Sequence, residues 1–235
     1  RLARRTWAYY EDFAGEDNNF LPPDNFQENP PNGLALRTSP TNIGFLLLSI
    51  LSARDFGYLT TTNLVKKARQ TINTIEKLET WKGHLYNWYN TLTLEVLRPR
   101  YVSTVDSGNF IAYLMTLKQG LNDCINSPIA DEALISGLKD TIMLMKEEDG
   151  KSLDIKHLGG AGFSLLKWSK IVEDCLNDLD SIEKDKAFDK YVWTKKTHHM
   201  LISFRTDLQR LVPWINMVEK MPEPLAKEKG KYSKT

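Results

Sequence analysis

Two segments of the 235-residue sequence combine aromatic rings with hydrogen-bonding side chains in a way that suits a polar, uncharged ligand. They are residues 37–42 (RTSPTN) and residues 86–109, which begin YNWY and end STVDSGN. A sugar needs planar hydrogen-bonding groups for its hydroxyls and flat rings for the apolar faces of the pyranose, and Trp and Tyr suit those faces. The candidate sugar-binding residues are Arg37, Thr38, Asn42, Asn87, Trp88, Tyr89, Asp106, Ser107 and Asn109, with Tyr101 beside them.

Each of these residues also has a purely structural interpretation. Trp88 and Tyr89 could plug the end of a hydrophobic core. Asp106 is a candidate N-cap of the helix predicted to begin there. Arg37 and Asp106 could form a structural ion pair. The sequence alone leaves these alternatives open.

Catalysis at a glycosidic bond usually needs two carboxylates that face each other across it. No two acidic residues here have a spacing that marks them as such a pair, so the catalytic residues stay unknown and Asp106 is only a weak candidate. A serine hydrolase is excluded because the sequence has no Gly-x-Ser-x-Gly. The acidic candidates are Glu11, Asp12, Asp24, Glu28 and Asp106.

The amino-acid composition limits the classes of partner and cofactor that we expect for this protein. Thirty-one Lys and Arg face 30 Asp and Glu, a formal net charge of +1, which favours neither nucleic acid nor an anionic membrane. Cys124 and Cys175 lie far apart in helical patterns and are predicted to be buried free thiols, which favours a reducing setting. No Cys/His cluster has zinc spacing, so we expect no metal and no cofactor. The longest apolar run, Ile43–Leu51, is too short to cross a bilayer.

The hydrophobic periodicity predicts an all-α protein. Ser39 and Pro40 mark the start of an almost wholly apolar helix, and Gly57 marks its end. Between helices, residues 84–105 read as a short β-hairpin or an extended loop. The predicted helices cover residues 2–13, 40–56, 61–81, 106–125, 131–147, 164–182 and 186–220.

The alternation of buried and amphipathic helices predicts inner and outer layers of antiparallel helical hairpins. The helices starting near Ser39 and near Asp106 are two apart in order, so consecutive antiparallel packing makes them parallel. Their N-termini, and the two polar-aromatic segments, are then expected on one rim. We predict a single helical domain over residues 1–225 and a basic disordered tail over residues 226–235.

Several motifs in the first half resemble a known family. They are RRTWAYYEDF (4–13), LPPDNFQENP (21–30), LRTSPTNIGF (36–45), ARDFGYL (53–59), GHLYNWYNT (83–91) and PRYVSTVDSGN (99–109). This run is similar to the middle region of the cyclic beta-1,2-glucan synthases, between the membrane-embedded glycosyltransferase part and the phosphorylase-like part. The resemblance covers about residues 1–120.

The resemblance implies a glucoamylase-like (α/α) barrel that closes linear beta-1,2-glucan into a ring by transglycosylation. The candidate residues would then line a cleft for glucosyl units. The partners implied are a beta-1,2-linked glucan and the neighbouring synthase domains. The location implied is the cytoplasmic face of the bacterial inner membrane, with this segment itself soluble.

Two departures from the family pattern limit the function expected of this chain. A full barrel needs roughly twice the helices predicted here, and the family's catalytic carboxylates are expected in later motifs. The chain therefore reads as the N-terminal half of a barrel, cut from a longer protein, that binds substrate and is inactive alone. The structural alternative is that the second half of the chain is a divergent closure of the fold. The functional alternatives are a non-catalytic helical scaffold of the synthase or a small beta-glucan hydrolase.

Overall fold

The computed structural model describes residues 1–150, 152–153, 164–183 and 191–215. Seven α-helices lie in these ranges, which confirms the all-α prediction. They are α1 (Leu2–Phe13), α2 (Pro40–Asp55), α3 (Thr61–Ile75), α4 (Thr104–Ile125), α5 (Glu132–Asp149), α6 (Leu165–Glu183) and α7 (Val192–Leu211).

The strands in the described residues are two residues long and form three antiparallel pairs. The first pair, β1 with β2, is a hairpin in the connection between α1 and α2, and β4 with β5 is a hairpin after α3. The remaining pair, β3 with β6, joins distant parts of the chain. The six strands are β1 (Phe26–Gln27), β2 (Gly33–Leu34), β3 (Arg37–Thr38), β4 (Thr80–Trp81), β5 (His84–Leu85) and β6 (Tyr89–Asn90).

Helix α2 begins and ends where its local sequence predicts. The Ser39 hydroxyl accepts a hydrogen bond from the backbone N–H of Asn42, and Pro40 fills the first helical position. Gly57 follows the helix with a φ of +73°, the left-handed conformation that glycine adopts without strain. Ile43 and Leu47 are fully buried, as expected of an inner helix.

Helix α3 is shorter than predicted. Thr60 caps its start as expected, but the helix ends at Ile75 rather than at residue 81. Leu78, which continues the apolar stripe, is buried from a turn outside the helix. The chain then reverses at Lys82 and Gly83, both at positive φ, and this tight turn makes the β4–β5 hairpin.

Helices α2 and α4 lie side by side and run parallel, as predicted from their order. An added Cβ on Gly44 of α2 would lie 2.0 Å from the Tyr113 ring of α4. Two turns further on, an added Cβ on Gly120 of α4 would lie 2.3 Å from the Leu51 side chain of α2. Each helix thus offers a glycine notch to a large side chain of the other, and both helices advance in the same direction.

The residue contacts divide the chain within α5 into two compact units, Arg1–Asp140 and Thr141–Thr235. The second unit contains α6 and α7, which pack together with the rings of Trp168 and Phe204 5.2 Å apart. The single domain over residues 1–225 stays a prediction, and the tail at 226–235 lies outside the described residues.

Helix α7 covers less of the chain than the predicted helix over residues 186–220. It ends at Leu211, just before Pro213, which cannot continue a helical hydrogen-bond ladder. Residues 186–190 and 216–220 are outside the described ranges. Neither Cys124 nor Cys175 forms a disulfide, and Cys175 is buried as expected whereas Cys124 is only partly buried. Among the described helices, none combines the length and the apolar character that a membrane span requires.

Candidate functional site

The two polar-aromatic segments meet at the N-terminal ends of α2 and α4. Strand β3 pairs with β6 so that Arg37 lies opposite Asn90 and Thr38 lies opposite Tyr89. Across the helix starts, the Asn109 side-chain amide donates to the Thr41 hydroxyl over 3.4 Å. The common rim expected from the order of the helices is therefore present.

Arg37 stacks over Trp88 and bonds to Asp24. Its guanidinium carbon lies 4.7 Å from the centroid of the Trp88 ring, within the range of a cation–π contact. Its Nε and Nη2 donate to Oδ2 of Asp24 over 3.2 and 3.0 Å, while the Asn42 amide donates to Oδ1 over 3.0 Å. The suggested ion pair of Arg37 with Asp106 is therefore wrong, because the carboxylate that holds this guanidinium is that of Asp24.

Asn87 connects Trp88 to Asp106. With the amide nitrogen turned toward Asp106, it donates to Oδ2 over 3.0 Å, and the amide oxygen accepts from Trp88 Nε1 and the Tyr101 hydroxyl, each over 2.7 Å. This orientation is the one that satisfies both ends of the amide, since the reverse would point an oxygen at a carboxylate. The Asn87 backbone N–H donates to the Tyr101 carbonyl over 2.9 Å.

These contacts form one connected group across three segments of the chain. In this group, the indole of Trp88 links the charged and amide side chains on its two sides. We call the group the Trp88 cluster, and it consists of Asp24, Arg37, Asn42, Asn87, Trp88 and Asp106.

Asp106 is not the N-cap of α4. Ser103 occupies that position, and its hydroxyl accepts from the Asp106 backbone N–H over 3.2 Å. The prediction placed the helix start two residues late because Asp106 is itself a common capping type. Its actual place in the first turn leaves the carboxylate near the positive end of the helix dipole and available to Asn87.

Tyr89 and Thr38 are fully buried beneath the rim. The Tyr89 hydroxyl donates to the Glu79 carbonyl over 2.6 Å and accepts from the Tyr86 backbone N–H over 2.7 Å. Burial raises the pKa of Tyr89 to about 12, against a smaller lowering by the hydrogen bond from Tyr86. This side chain packs with Leu21 and Leu85, as the core-plug alternative described.

Two hydroxyl oxygens at the rim are buried without a hydrogen-bond partner in the described structure. They are Thr38 Oγ1 and Ser107 Oγ. Ser107 also lines a mainly apolar groove of about 800 Å³ between the β4–β5 hairpin and the first turns of α4. Trp81 of the hairpin faces the same groove and is half exposed. The groove lies beside the Trp88 cluster, and its lining contains none of the six cluster residues.

Sequence reasoning missed Asp24 as a member of the site. It appeared only among the acidic candidates, because the residues that it contacts are 13 and 18 positions away. The one local signal in the sequence was the turn-forming run NPPNG at 29–33, where the β1–β2 hairpin reverses the chain, but it does not specify which residues meet. The candidate residues Ser107 and Asn109 lie at the rim but outside the cluster.

Comparison with known proteins supports the motif resemblance. The chain is 46% identical over 148 residues to the cyclic beta-(1,2)-glucan synthase NdvB of Rhizobium meliloti (strain 1021), a match over 63% of this chain and 5% of that protein. The resemblance to the cyclic beta-1,2-glucan synthases is thus confirmed, and the chain spans only a small part of its relative. No family model matches the chain.

A likeness to a solved structure is weaker. The crystal structure of a putative glucoamylase from Bacteroides fragilis NCTC 9343 aligns with 74% of this chain and 34% of its own, at a TM-score of 0.37 and 19% identity.

Proposed function

We propose that this chain is the substrate-binding part of the glucan-cyclising transglycosylase region of a cyclic beta-1,2-glucan synthase. The proposal rests on the 46% identity to NdvB together with one structural observation. That observation is the Trp88 cluster, in which a guanidinium, an indole, an amide and a carboxylate are linked at one rim. In this proposal the partners are a beta-1,2-linked glucan and the neighbouring synthase domains, at the cytoplasmic face of the bacterial inner membrane.

The cluster offers both kinds of contact that a glucosyl unit requires. The guanidinium of Arg37 has five N–H donors, and only two of its nitrogens bond to Asp24. The Arg37 side chain is half exposed, so its remaining donors can reach sugar hydroxyls. Asp106 can accept from a hydroxyl, and the partly exposed Trp88 ring presents apolar surface. In this proposal Thr38 and Tyr89 support the rim from below.

We assign sugar binding rather than bond cleavage to this site. Transglycosylation of a glycoside usually requires a nucleophilic or basic carboxylate and a second carboxyl group as acid. Of the two carboxylates in the cluster, Asp24 is already bonded to Arg37 and Asn42. Asp106 alone cannot perform both roles.

Calorimetric titration of the chain with linear beta-1,2-glucan oligosaccharides tests the proposal. We expect measurable binding, and we expect Trp88→Ala and Asp106→Ala each to weaken it by about 1–3 kcal/mol. Trp81→Ala is the control, because Trp81 is a more exposed tryptophan that lies outside the cluster. Absence of binding heat, or wild-type affinity in the Trp88→Ala/Asp106→Ala double variant, would contradict the proposal.

A scaffold function is the second candidate, and one observation favours it. Helix α4 exposes apolar side chains, with Val105 and Met115 each 69% exposed and Ile111 57% exposed. Exposed apolar surface of this kind often marks a contact with another protein or domain. Light scattering distinguishes the two, since a scaffold should self-associate when isolated and a monodisperse monomer argues against it. Release of reducing sugar from beta-glucan would instead favour a small hydrolase.

A further inference from the structure

The β1–β2 hairpin fixes the backbone of Asp24 beside Arg37. The Asp24 N–H donates to the Ala35 carbonyl over 3.1 Å, and the Ala35 N–H donates to the Asn25 carbonyl over 2.9 Å. These bonds close the base of the hairpin two residues before Arg37. On the other side, the Tyr9 hydroxyl of α1 donates to the Pro23 carbonyl over 2.8 Å. The backbone at Asp24 is therefore fixed on both sides by hydrogen bonds that do not involve the Asp24 side chain.

The Asp24 carboxylate is saturated with donors from the rim. Besides Arg37 and Asn42, the Asn25 amide donates to its Oδ2 over 3.2 Å. Its side chain is 19% exposed, whereas that of Arg37 is 50% exposed. The inner partner of the pair is thus the acid, and the outer partner is the cation that can meet a ligand. Charge-assisted bonds to a partly shielded carboxylate are stronger than those of an open surface pair.

A long arginine side chain on a protein surface samples many rotamers, and fixing it opposes binding through lost conformational entropy. The two bonds to Asp24 remove that freedom in the absence of any ligand. They leave the guanidinium plane above Trp88 with its outer donors directed away from Asp24.

We propose that Asp24 is the positioning residue of the Trp88 cluster, holding the Arg37 guanidinium over the Trp88 ring so that the site is formed before glucan binds. Asp24 acts through Arg37 and touches no substrate itself. The role in glucan binding rests on the function proposed above, while the position of Arg37 over Trp88 can be tested without any ligand.

The ligand-free test is the indole N–H spectrum of the full chain labelled with [15N]tryptophan. The chain has six tryptophans, and Trp88→Phe identifies the signal of Trp88. Arg37→Met should move that signal, Asp24→Asn should move it in the same direction, and the double variant should match Arg37→Met. Asp24→Glu, which keeps the charge, should return the signal part of the way. The inference is overturned if Arg37→Met moves the Trp88 signal while Asp24→Asn leaves it at its wild-type position. It is also overturned if neither variant moves the signal.

Asp17→Asn is the matched control, because it removes one negative charge from an exposed position in the same unit. It should leave the Trp88 signal in place. Circular dichroism shows which variants are folded, and Asp24→Glu provides the folded comparison if Asp24→Asn is not.

The binding test uses linear beta-1,2-glucan oligosaccharide as the probe. Asp24→Asn should weaken affinity about tenfold in the wild-type background and leave it unchanged in the Arg37→Met background. Additive losses would show that Asp24 acts independently of Arg37 and would overturn the inference. If wild-type chain binds no glucan, the proposed function fails, whereas the indole spectrum still decides whether Asp24 positions Arg37.

Discussion

The guanidinium of Arg37 lies 4.7 Å above the ring of Trp88. Arg37 is in β3, and Trp88 immediately precedes β6, the strand that pairs with β3 across about fifty positions of intervening sequence. This contact joins the start of α2 to the loop that leads into α4. It is reinforced on one side by Asp24 and on the other by Asn87. The four residues therefore form one continuous series of contacts.

Arg37→Met is expected to weaken glucan binding about tenfold while changing the free energy of unfolding by less than about 1 kcal/mol. The Asp24 carboxylate is partly shielded, but the guanidinium is half exposed, and an ion pair that water reaches on one side contributes little to stability. Calorimetry and urea unfolding measure the two effects. Arg100→Met is the control, because Arg100 also stacks on a ring, that of Tyr86, but outside the cluster. A large loss of stability with unchanged affinity would show that Arg37 is structural.

Asn87→Ala is expected to lower the free energy of unfolding by about 1–3 kcal/mol, because it leaves three polar groups of the rim without their shared partner. Those groups are the indole N–H of Trp88, the hydroxyl of Tyr101 and the carboxylate of Asp106. Urea unfolding monitored by circular dichroism gives the value. Asn32→Ala, at an exposed position in the β1–β2 hairpin, should change it by no more than about 0.5 kcal/mol. Equal effects of the two substitutions would argue against the bridging role of Asn87.

Tyr89→Phe is expected to destabilise the protein at neutral pH and to reduce its sensitivity to alkali. Burial raises the folded-state pKa of Tyr89 from 10.0 to about 12, so the folded chain keeps this proton to a higher pH than the unfolded chain does. The resulting stability is complete below about pH 10 and is lost as the pH rises toward about 12.

Unfolding in urea at several values between those limits tests this prediction. The decline with pH should be shallower in Tyr89→Phe than in wild type. Some decline should persist, because burial also raises the pKa of Tyr9, Tyr10 and Tyr58. If the free energy of unfolding fell with pH as steeply in Tyr89→Phe as in wild type, the Tyr89 hydroxyl would be exposed to water and the prediction would be wrong.

Gly57→Ala is expected to destabilise the protein more than Gly83→Ala, although both glycines have positive φ. A Cβ on Gly57 would lie 1.9 Å from the Ala133 carbonyl oxygen at the start of α5, a backbone atom that cannot rotate away. A Cβ on Gly83 would meet nothing within 4 Å. We expect about 1 kcal/mol of conformational strain at both positions and a further 1–3 kcal/mol, roughly, of overpacking at Gly57. Thermal unfolding of the two variants gives the comparison, and similar losses would contradict the close approach of α5.

Features encoded by neighbouring residues were predictable from sequence. The limits of α2 follow from Ser39, Pro40 and Gly57, each of which acts on the helix end that it adjoins. The parallel arrangement of α2 and α4 followed from helix order alone. The first prediction needed only local hydrogen bonding, and the second needed only that helices consecutive in the chain pack antiparallel.

Features that depend on distant partners were not predictable in the same way. The end of α3 at Ile75 is set by burial of Leu78 among residues of other segments, which overrides its helical spacing. Ser103 caps α4, and the Asp106 carboxylate instead bonds to the amide of Asn87, a partner 19 positions away that no local pattern indicates. The partnership of Asp24 with Arg37 required the register of a hairpin whose strands are two residues long.

The paired notches of Gly44 with Tyr113 and Gly120 with Leu51 act as a mechanical stop against sliding. Both pairs are offset by 69 positions, so a shift of either helix along its axis would drive two bulky side chains into backbone at once. The axial alignment of the two helix starts, and with it the separation of Thr41 and Asn109, is thereby set about one and three turns away from the rim. We therefore expect a larger residue at Gly120 to change the separation of Thr41 and Asn109, although Gly120 lies outside the site.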